Sequence, residues 1–151
     1  MRVINYEQLK SILSSQTDNP RIVASGNFAP PTTLLKAADE SLERFKLHML
    51  NAHPGIPDRD GIEYESAFVG PAMRRHPRLH YIPSRLSMVP ILFRDHYRPD
   101  LVFLHTSPKR YEFNFTVGNR WRTRCGAGFI ERSQRDANLD RDVQRWGIGS
   151  A

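Results

Sequence analysis

One short apolar run constrains the fold of this 151-residue chain more than any other feature. The run DLVFLH, residues 100–105, is almost continuously apolar and lies between Pro99 and Ser107. Strands that are buried on both faces have this pattern, because both rows of their side chains contact other layers. We therefore expect a parallel strand inside a sheet that is covered on both sides.

The preceding segments alternate between strand and helix patterns. RIVAS, residues 21–25, is a short apolar run, and KLHMLN, residues 46–51, has the pattern of a second strand. Between them, apolar residues recur at spacings of three to four, which is typical of a helix: Leu34, Leu35, Ala38, Leu42 and Phe45. Residues 21–51 thus have the proportions of one βαβ unit, which joins two parallel strands.

Other segments extend this alternation in both directions. NYEQLKSILSS, residues 5–15, predicts a short helix with Asn5 as its cap and Gln8 completing a capping box. Residues 67–83 predict a short strand, a broken helical turn and a strand around LHYI. Residues 84–93 predict a helix that Pro90 either kinks or begins. The chain is therefore expected to be an α/β protein with an open, mainly parallel sheet and flanking helices.

Composition excludes a membrane-spanning class and favours the cytoplasm. Hydrophobic residues make up 39% of the chain and charged residues 25%, and no apolar run approaches the ~20 residues that cross a bilayer. The start, MRVINYEQLK, lacks the order of a secretory signal. Cys125 is the single cysteine, so neither a disulfide nor a thiolate zinc site is expected.

The positive charge is concentrated after residue 118, where the apolar periodicity also ends. The net charge is +6, and residues 119–151 hold seven arginines and four acidic residues. We interpret residues 1–118 as the α/β domain and residues 119–151 as a divergent, Arg-rich tail, either disordered or read in a shifted frame. The coding DNA tests the second interpretation, because the correct frame would restore a helix and an apolar strand.

Candidate ligand-binding residues follow two of the predicted strands. Ser25, Gly26 and Asn27 lie between a strand and a helix, and His105 and Ser107 lie at the end of the run DLVFLH. Ligands bind outside the carboxyl ends of strands in open α/β sheets, and glycine lets backbone amides approach an anion. The alternatives are an ordinary turn and a hydroxyl cap. A Ser–His catalytic pair is disfavoured, since no acid is placed to orient the imidazole.

Histidine and carboxylate patterns do not predict a metal or an acid–base site. His76 and His80 are four residues apart, but Pro77 argues against a shared helix face, so we interpret them as solvated. Glu63 and Glu65 alternate within IEYES and are explained equally well by a solvent-facing pair.

A basic cluster precedes and enters the third predicted helix. It would neutralise a phosphate or form a solvated edge, and it comprises Arg74, Arg75, Arg78 and Arg85. A nucleic-acid partner is disfavoured, because stacking aromatics interleaved with basic residues are missing.

Five stretches together resemble the N-terminal portion of the acetyl-CoA hydrolase and CoA-transferase family, which includes the 4-hydroxybutyrate CoA-transferases. The resemblance extends through about residue 108 and rests on VASGNFAPPTTLL, HMLNAHPGIPDRDG, ESAFVGPAMRR, YIPSRLSMVPILF and RPDLVFLHTSP. It implies an incomplete N-terminal α/β domain of a two-domain enzyme. That enzyme moves coenzyme A between carboxylic acids, or to water, through a glutamyl thioester.

The resemblance also implies roles for individual residues. The matching residues are Ser25, Gly26, Asn27, Phe28, Arg85, Ser87, Pro90, Asp100, His105, Thr106, Ser107 and Pro108. The loop amides and Asn27 would face the substrate, Arg85 would pair with a carboxylate or phosphate, and His105 and Ser107 would form the cleft wall. The expected ligands are an acyl-CoA thioester and a small carboxylic acid, without a metal.

No catalytic residue is carried over by the resemblance. The family's acylated glutamate belongs to the C-terminal domain, and no glutamate of this chain lies in a matching motif, so the chain alone is expected to be inactive. Two alternatives stay open: a non-catalytic module that pairs with a separate C-terminal half or with a full-length relative, and a basic nucleic-acid binder whose affinity falls steeply with salt. A homo-oligomer is a further candidate partner.

Overall fold

The computed structural model describes residues 2–106, 127–132 and 143–146, with side chains from Ile4 to His105. Within these residues three helices lie between strands: α1 (Tyr6–Ser14), α2 (Thr32–Ser41) and α3 (Val89–Asp95), the last preceded by a 3-10 turn (Leu86–Met88). The strands are β1 (Arg2–Ile4), β2 (Arg21–Ala24), β3 (Phe45–Met49), β4 (Ile62–Ser66), β5 (Leu79–Tyr81), β6 (Leu101–Thr106), β7 (Ala127–Arg132) and β8 (Val143–Trp146).

The described strands form one sheet in the order β1-β8-β7-β6-β2-β3-β4-β5. Every neighbouring pair from β7 to β5 is parallel, whereas β8 is antiparallel to both β7 and β1. The prediction of an α/β protein with an open, mainly parallel sheet and flanking helices is confirmed. Because β2 to β6 are parallel, the loops that follow them emerge at one common edge.

The two faces of the sheet differ in character. Side chains alternate between the faces, and the face that contains Ile22, Leu47 and Phe103 is fully buried. It packs with α1 and α2 through Leu9, Leu13, Leu34 and Leu35, which are also inaccessible to solvent. The opposite face packs on a much smaller apolar cluster, in which Val89 and Phe93 of α3 cover Val23 and Leu50.

This asymmetry corrects the expectation for DLVFLH. Leu101 and Phe103 are buried beneath the larger core, but Val102 and Leu104 on the other face are only partly buried. The run is therefore a strand, as predicted, with one fully covered face rather than two, because α3 is short.

The α2 helix ends earlier than its apolar pattern predicts. Leu42 is already extended, and Phe45 begins β3, although both side chains are buried. The guanidinium of Arg59 donates hydrogen bonds to the carbonyl oxygens of Asp39, Leu42 and Glu43. It thereby satisfies carbonyl groups at the end of the helix, where the intrahelical hydrogen bonds stop. The apolar spacing continued past the helix because the strand that follows buries its residues in the same core.

One other prediction differs in placement, and two agree with the structure. The first short strand expected within residues 67–83 lies earlier, at Ile62–Ser66, where Ile62, Tyr64 and Ser66 are buried on the face toward the larger core. The capping box at Asn5 and Gln8 is confirmed by reciprocal hydrogen bonds of 2.8 and 3.1 Å. Pro90 lies in the first turn of α3, where its missing N–H costs no hydrogen bond.

Candidate functional site at the carboxyl edge of the sheet

Three loops at the carboxyl edge are joined to one another through their backbones. They follow β2, β3 and β4 and comprise residues 25–31, 50–61 and 67–78. The segments considered at the edge are 25–31, 50–57 and 67–73. The amide of Asn27 donates to the carbonyl of Asn51 (3.2 Å), and the amide of Asn51 donates to the carbonyl of Phe68 (2.7 Å). The three loops therefore form one continuous surface, named here the edge surface.

Glycine permits this close approach at two positions. A Cβ atom on Gly26 would overlap the carbonyl oxygen of Leu50, and one on Gly70 would overlap the backbone of Ala52. The loops therefore pack backbone to backbone with no room for a side chain between them. This is the role that Gly26 has in the structure.

Asn27 and Asn51 both adopt left-handed backbone conformations, with φ of 54° and 49°. Asparagine tolerates this region better than most residues. The Nδ2 atom of Asn51 donates to Oδ1 of Asn27 over 2.5 Å. Asn27 is exposed, so its side chain faces solvent at the edge, where sequence analysis expected a substrate.

Ser25 and His105 are brought together, although 80 residues separate them. The Ser25 hydroxyl donates to the carbonyl of Ala29 (2.8 Å) and accepts from the amide of His105 (3.2 Å). The His105 ring nitrogen Nδ1 lies 3.0 Å from the carbonyl of Pro30 and therefore carries the proton in this contact. Both side chains thus hold the loop after β2 against the end of β6. The loop and the strand end together form a wall.

Arg85 and Ser107 are placed differently from these residues. Arg85 is exposed and precedes the 3-10 turn, in the loop that follows β5. Its carbonyl accepts the amide of Met88, and within the described part of the chain its guanidinium makes no ion pair. Ser107 lies outside the described residues. Residues 119–126, 133–142 and 147–151, which belong to the predicted tail, also lie outside them.

The histidines predicted to be solvated behave in two ways. His80 is exposed, but only 15% of the His76 side chain is accessible. His76 packs edge-on against Tyr64 (centroids 4.6 Å apart), and its Nε2 lies 3.2 Å from Oδ1 of Asp58. The interpretation of His76 as solvated was wrong, because the turn before β5 folds its ring onto Tyr64. Among the described residues, no group of three or more His, Cys, Asp or Glu is arranged to hold a metal ion.

A buried charge cluster lies on the smaller face of the sheet and was missed by sequence analysis. Arg21 donates to both carboxylate oxygens of Glu65 (2.9 and 3.1 Å), and the Nδ1 atom of His48 lies 3.8 Å from the same carboxylate. The sequence left open a solvent-facing pair of Glu63 and Glu65, and for Glu65 that alternative is wrong, since it is 4% exposed. Burial alone would raise the pKa of Glu65, but His48 and Arg21 outweigh it and lower the pKa to about 2.

An aromatic pair on the edge surface was also not predicted from the sequence. The rings of Phe28 and His53 lie 4.6 Å apart at an angle of 37°. These residues come from the loops after β2 and β3, so only the parallel pairing of those strands brings them together. The signal available in the sequence was that both loops follow adjacent predicted strands of one βαβ unit.

No family model and no curated protein matches the chain. Among solved structures it is similar to RipA from Yersinia pestis, with a TM-score of 0.55 and 19% sequence identity. The similarity covers 70% of this chain and 31% of RipA, so the chain spans less than a third of that protein. At this level of identity the likeness shows a shared fold. In addition, no helix within the described residues has the length and apolar character needed to cross a membrane.

Proposed function

We propose that this chain is the acyl-thioester-binding half of an enzyme of the acetyl-CoA hydrolase and CoA-transferase type. The observation that supports the proposal most directly is the edge surface, where the loop SGN is packed against the loops of the neighbouring strands. Open α/β sheets bind ligands at this edge. The exposed side chain of Asn27 supplies a polar contact there, and Ser25 and His105 build the wall beside it.

In this proposal the chain binds substrate but does not turn it over alone. The family's covalent step needs a glutamate from its C-terminal domain, and no glutamate of this chain lies in the matching motif. Glu65, the most buried carboxylate of the described part, is held by Arg21 on the smaller face of the sheet and is therefore unsuited to the role. We propose that a separate C-terminal half supplies the nucleophile, and that the pair works in the cytoplasm.

Binding and turnover test the proposal separately. Calorimetric titration of the 151-residue chain with acetyl-CoA should give saturable binding, while thiol release from acetyl-CoA should stay at the uncatalysed rate. Thiol release should appear when the C-terminal half of a 4-hydroxybutyrate CoA-transferase is added. Absence of acetyl-CoA binding would overturn the proposal, and so would full turnover by the chain alone.

Arg85 offers a sharper test of the anionic contact. Its exposed guanidinium would pair with a carboxylate or phosphate of the substrate, so Arg85→Gln should weaken acetyl-CoA binding by about tenfold. Arg44→Gln is the matched control, because Arg44 pairs with Asp18 far from the edge surface. Equal affinities of the two variants would remove Arg85 from the site.

A non-catalytic interaction module is the second candidate function. It is favoured by two exposed apolar side chains in the 3-10 turn, Leu86 (56% exposed) and Met88 (45% exposed). Exposed apolar side chains that cluster in this way are common in protein-binding surfaces. If this is the main function, the double variant L86S/M88S should abolish capture of the C-terminal half, and acetyl-CoA should not bind to the chain at all.

A further inference from the structure

An exposed aromatic ring stands on the edge surface with a second ring behind it. Phe28 is 89% exposed, which is unusual for a large apolar side chain, and its ring rests on that of His53. The Nε2 atom of His53 is buried and has no hydrogen-bond partner among the residues that the structure describes. The pair therefore presents a backed aromatic face to solvent, the form of platform on which a planar ring stacks.

Hydrogen-bonding groups lie next to this platform. The bond from Asn51 to Asn27 uses one donor and one acceptor. It leaves the Nδ2 donors of Asn27 and the Oδ1 acceptor of Asn51 without a partner within the described part of the chain. A donor on one asparagine and an acceptor on the other are the groups that the edge of adenine requires, since adenine presents an amino donor next to a ring-nitrogen acceptor.

The charge distribution around the edge surface suits a ligand in which an uncharged ring is linked to anionic groups. The segments 25–31, 50–57 and 67–73 that form the edge surface contain no Asp, Glu, Lys or Arg, although the second loop goes on to Asp58, Arg59 and Asp60. The third loop continues beyond its segment into Arg74 and Arg75, both exposed. An uncharged centre would accept a base without an ionic competitor, and the arginines at its rim would attract phosphates.

We propose that Phe28, backed by His53, stacks with the purine of an adenine nucleotide, and that Asn27 and Asn51 bind the edge of the base. The inference rests on the proposed function and deepens it, because it identifies the nucleotide end of coenzyme A as the part of the substrate that this surface binds. Preorganisation is provided by the loops themselves, which Gly26 and Gly70 allow to pack without intervening side chains.

Calorimetric titration with separate parts of coenzyme A tests the inference. The probes are ADP and adenosine 3′,5′-bisphosphate, which carry the base, and S-acetylpantetheine, which lacks it. The two nucleotides should bind, and Phe28→Ala should weaken their binding by about 5- to 100-fold, the range for losing one stacked base. Tyr81→Ala is the matched control, since Tyr81 is an exposed aromatic residue of β5 that lies outside the edge surface; it should change affinity less than twofold.

Two further variants keep the test independent of folding defects. Asn27→Asp retains tolerance of the left-handed conformation but replaces the donors with an acceptor, so it should weaken ADP binding by about tenfold. Phe28→Trp retains a stacking ring, and ADP should quench its fluorescence while leaving the affinity close to that of the native chain. Failure of ADP to quench this indole would overturn the stacking assignment.

The outcomes separate the two proposals. If S-acetylpantetheine binds and neither nucleotide does, the purine platform is overturned while the acyl-thioester function stands. If ADP binds in a manner that depends on Phe28 but acetyl-CoA does not bind, the platform stands and the acyl-thioester function falls. If a single-stranded adenine oligonucleotide binds much more tightly than ADP, with steep salt dependence, the platform serves nucleic acid and the nucleotide assignment is overturned.

Discussion

At the scale of single residues, the main unexpected finding is an ion pair inside the sheet. Arg21 and Glu65 are on the two strands that flank β3, and His48 lies on β3 between them. Removing both charges from water is costly, and the bidentate geometry offsets that cost only while both partners are present. The pair should therefore be sensitive to loss of either charge.

Glu65→Gln should destabilise the chain by about 3 kcal/mol, because it leaves the largely buried guanidinium of Arg21 without its counter-charge. Urea unfolding followed by circular dichroism measures the difference. Glu63→Gln is the control, since Glu63 lies on the same strand and face but is half-exposed, and it should cost less than about 1 kcal/mol. Equal losses in both variants would contradict the distinction between the buried and the exposed pair.

The same carboxylate gives the chain a defined pH dependence. The pKa of Glu65 falls from an ordinary 4.5 to about 2 on folding, so the folded state binds its proton less readily than the unfolded state. The resulting stabilisation, on the order of 3 kcal/mol, is complete above pH 4.5 and is lost as the pH falls toward 2. Urea unfolding between pH 6 and about pH 2 should show this decline, and Glu65→Gln should flatten it.

At the scale of elements, helix ends are decided by side chains that can lie far away in sequence. The start of α1 is capped locally, by Asn5 and Gln8, and was therefore predictable. The end of α2 is capped by Arg59, which is 16 residues beyond Glu43, and no local pattern marks that partnership. Caps formed by neighbouring residues can be predicted from a sequence, whereas caps formed by distant residues can be identified only once the fold is known.

Arg59→Lys should cost about 2 kcal/mol, because lysine retains the charge but cannot reach the several carbonyl oxygens that the guanidinium fork satisfies. Thermal unfolding monitors the loss. Arg44→Lys serves as the control at an exposed ion pair, where the change should be within about 0.5 kcal/mol. If Arg59→Lys leaves the stability unchanged, the end of α2 is held by its packing alone.

At the scale of the whole molecule, the two faces of the sheet are covered unequally. One face carries α1 and α2 and a large buried core, whereas the other carries α3 and a small cluster, with Val102 and Leu104 only partly covered. Thinly covered apolar surface favours association between molecules.

Sedimentation velocity should therefore show concentration-dependent association of the 151-residue chain. The double variant L86S/M88S should reduce it, because both side chains are exposed beside α3. Lys36→Ser, an exposed change on α2 over the well-covered face, is the control and should have no effect. A concentrated chain with sharp, dispersed amide resonances of a monomer would contradict the prediction.

The sequence by itself determined the class of the fold, because the period of the apolar residues reports local geometry and burial together. It identified the βαβ unit at residues 21–51, the capping box of α1 and the strand at DLVFLH, and it located Gly26 and Asn27 in a loop at the carboxyl edge of the sheet. These features depend on neighbours within a few positions in the chain, where hydrophobic spacing and capping chemistry are direct signals.

Only the tertiary structure decided which side chains meet. The contacts of Phe28 with His53, of Ser25 with His105 and of Arg21 with Glu65 span 25 to 80 residues and follow from strand order and register. A one-residue change of register would move each side chain to the other face of the sheet, so no local pattern contains this information. For the same reason Glu65 reads as a solvent-facing residue in sequence and becomes a buried, ionised one in the fold.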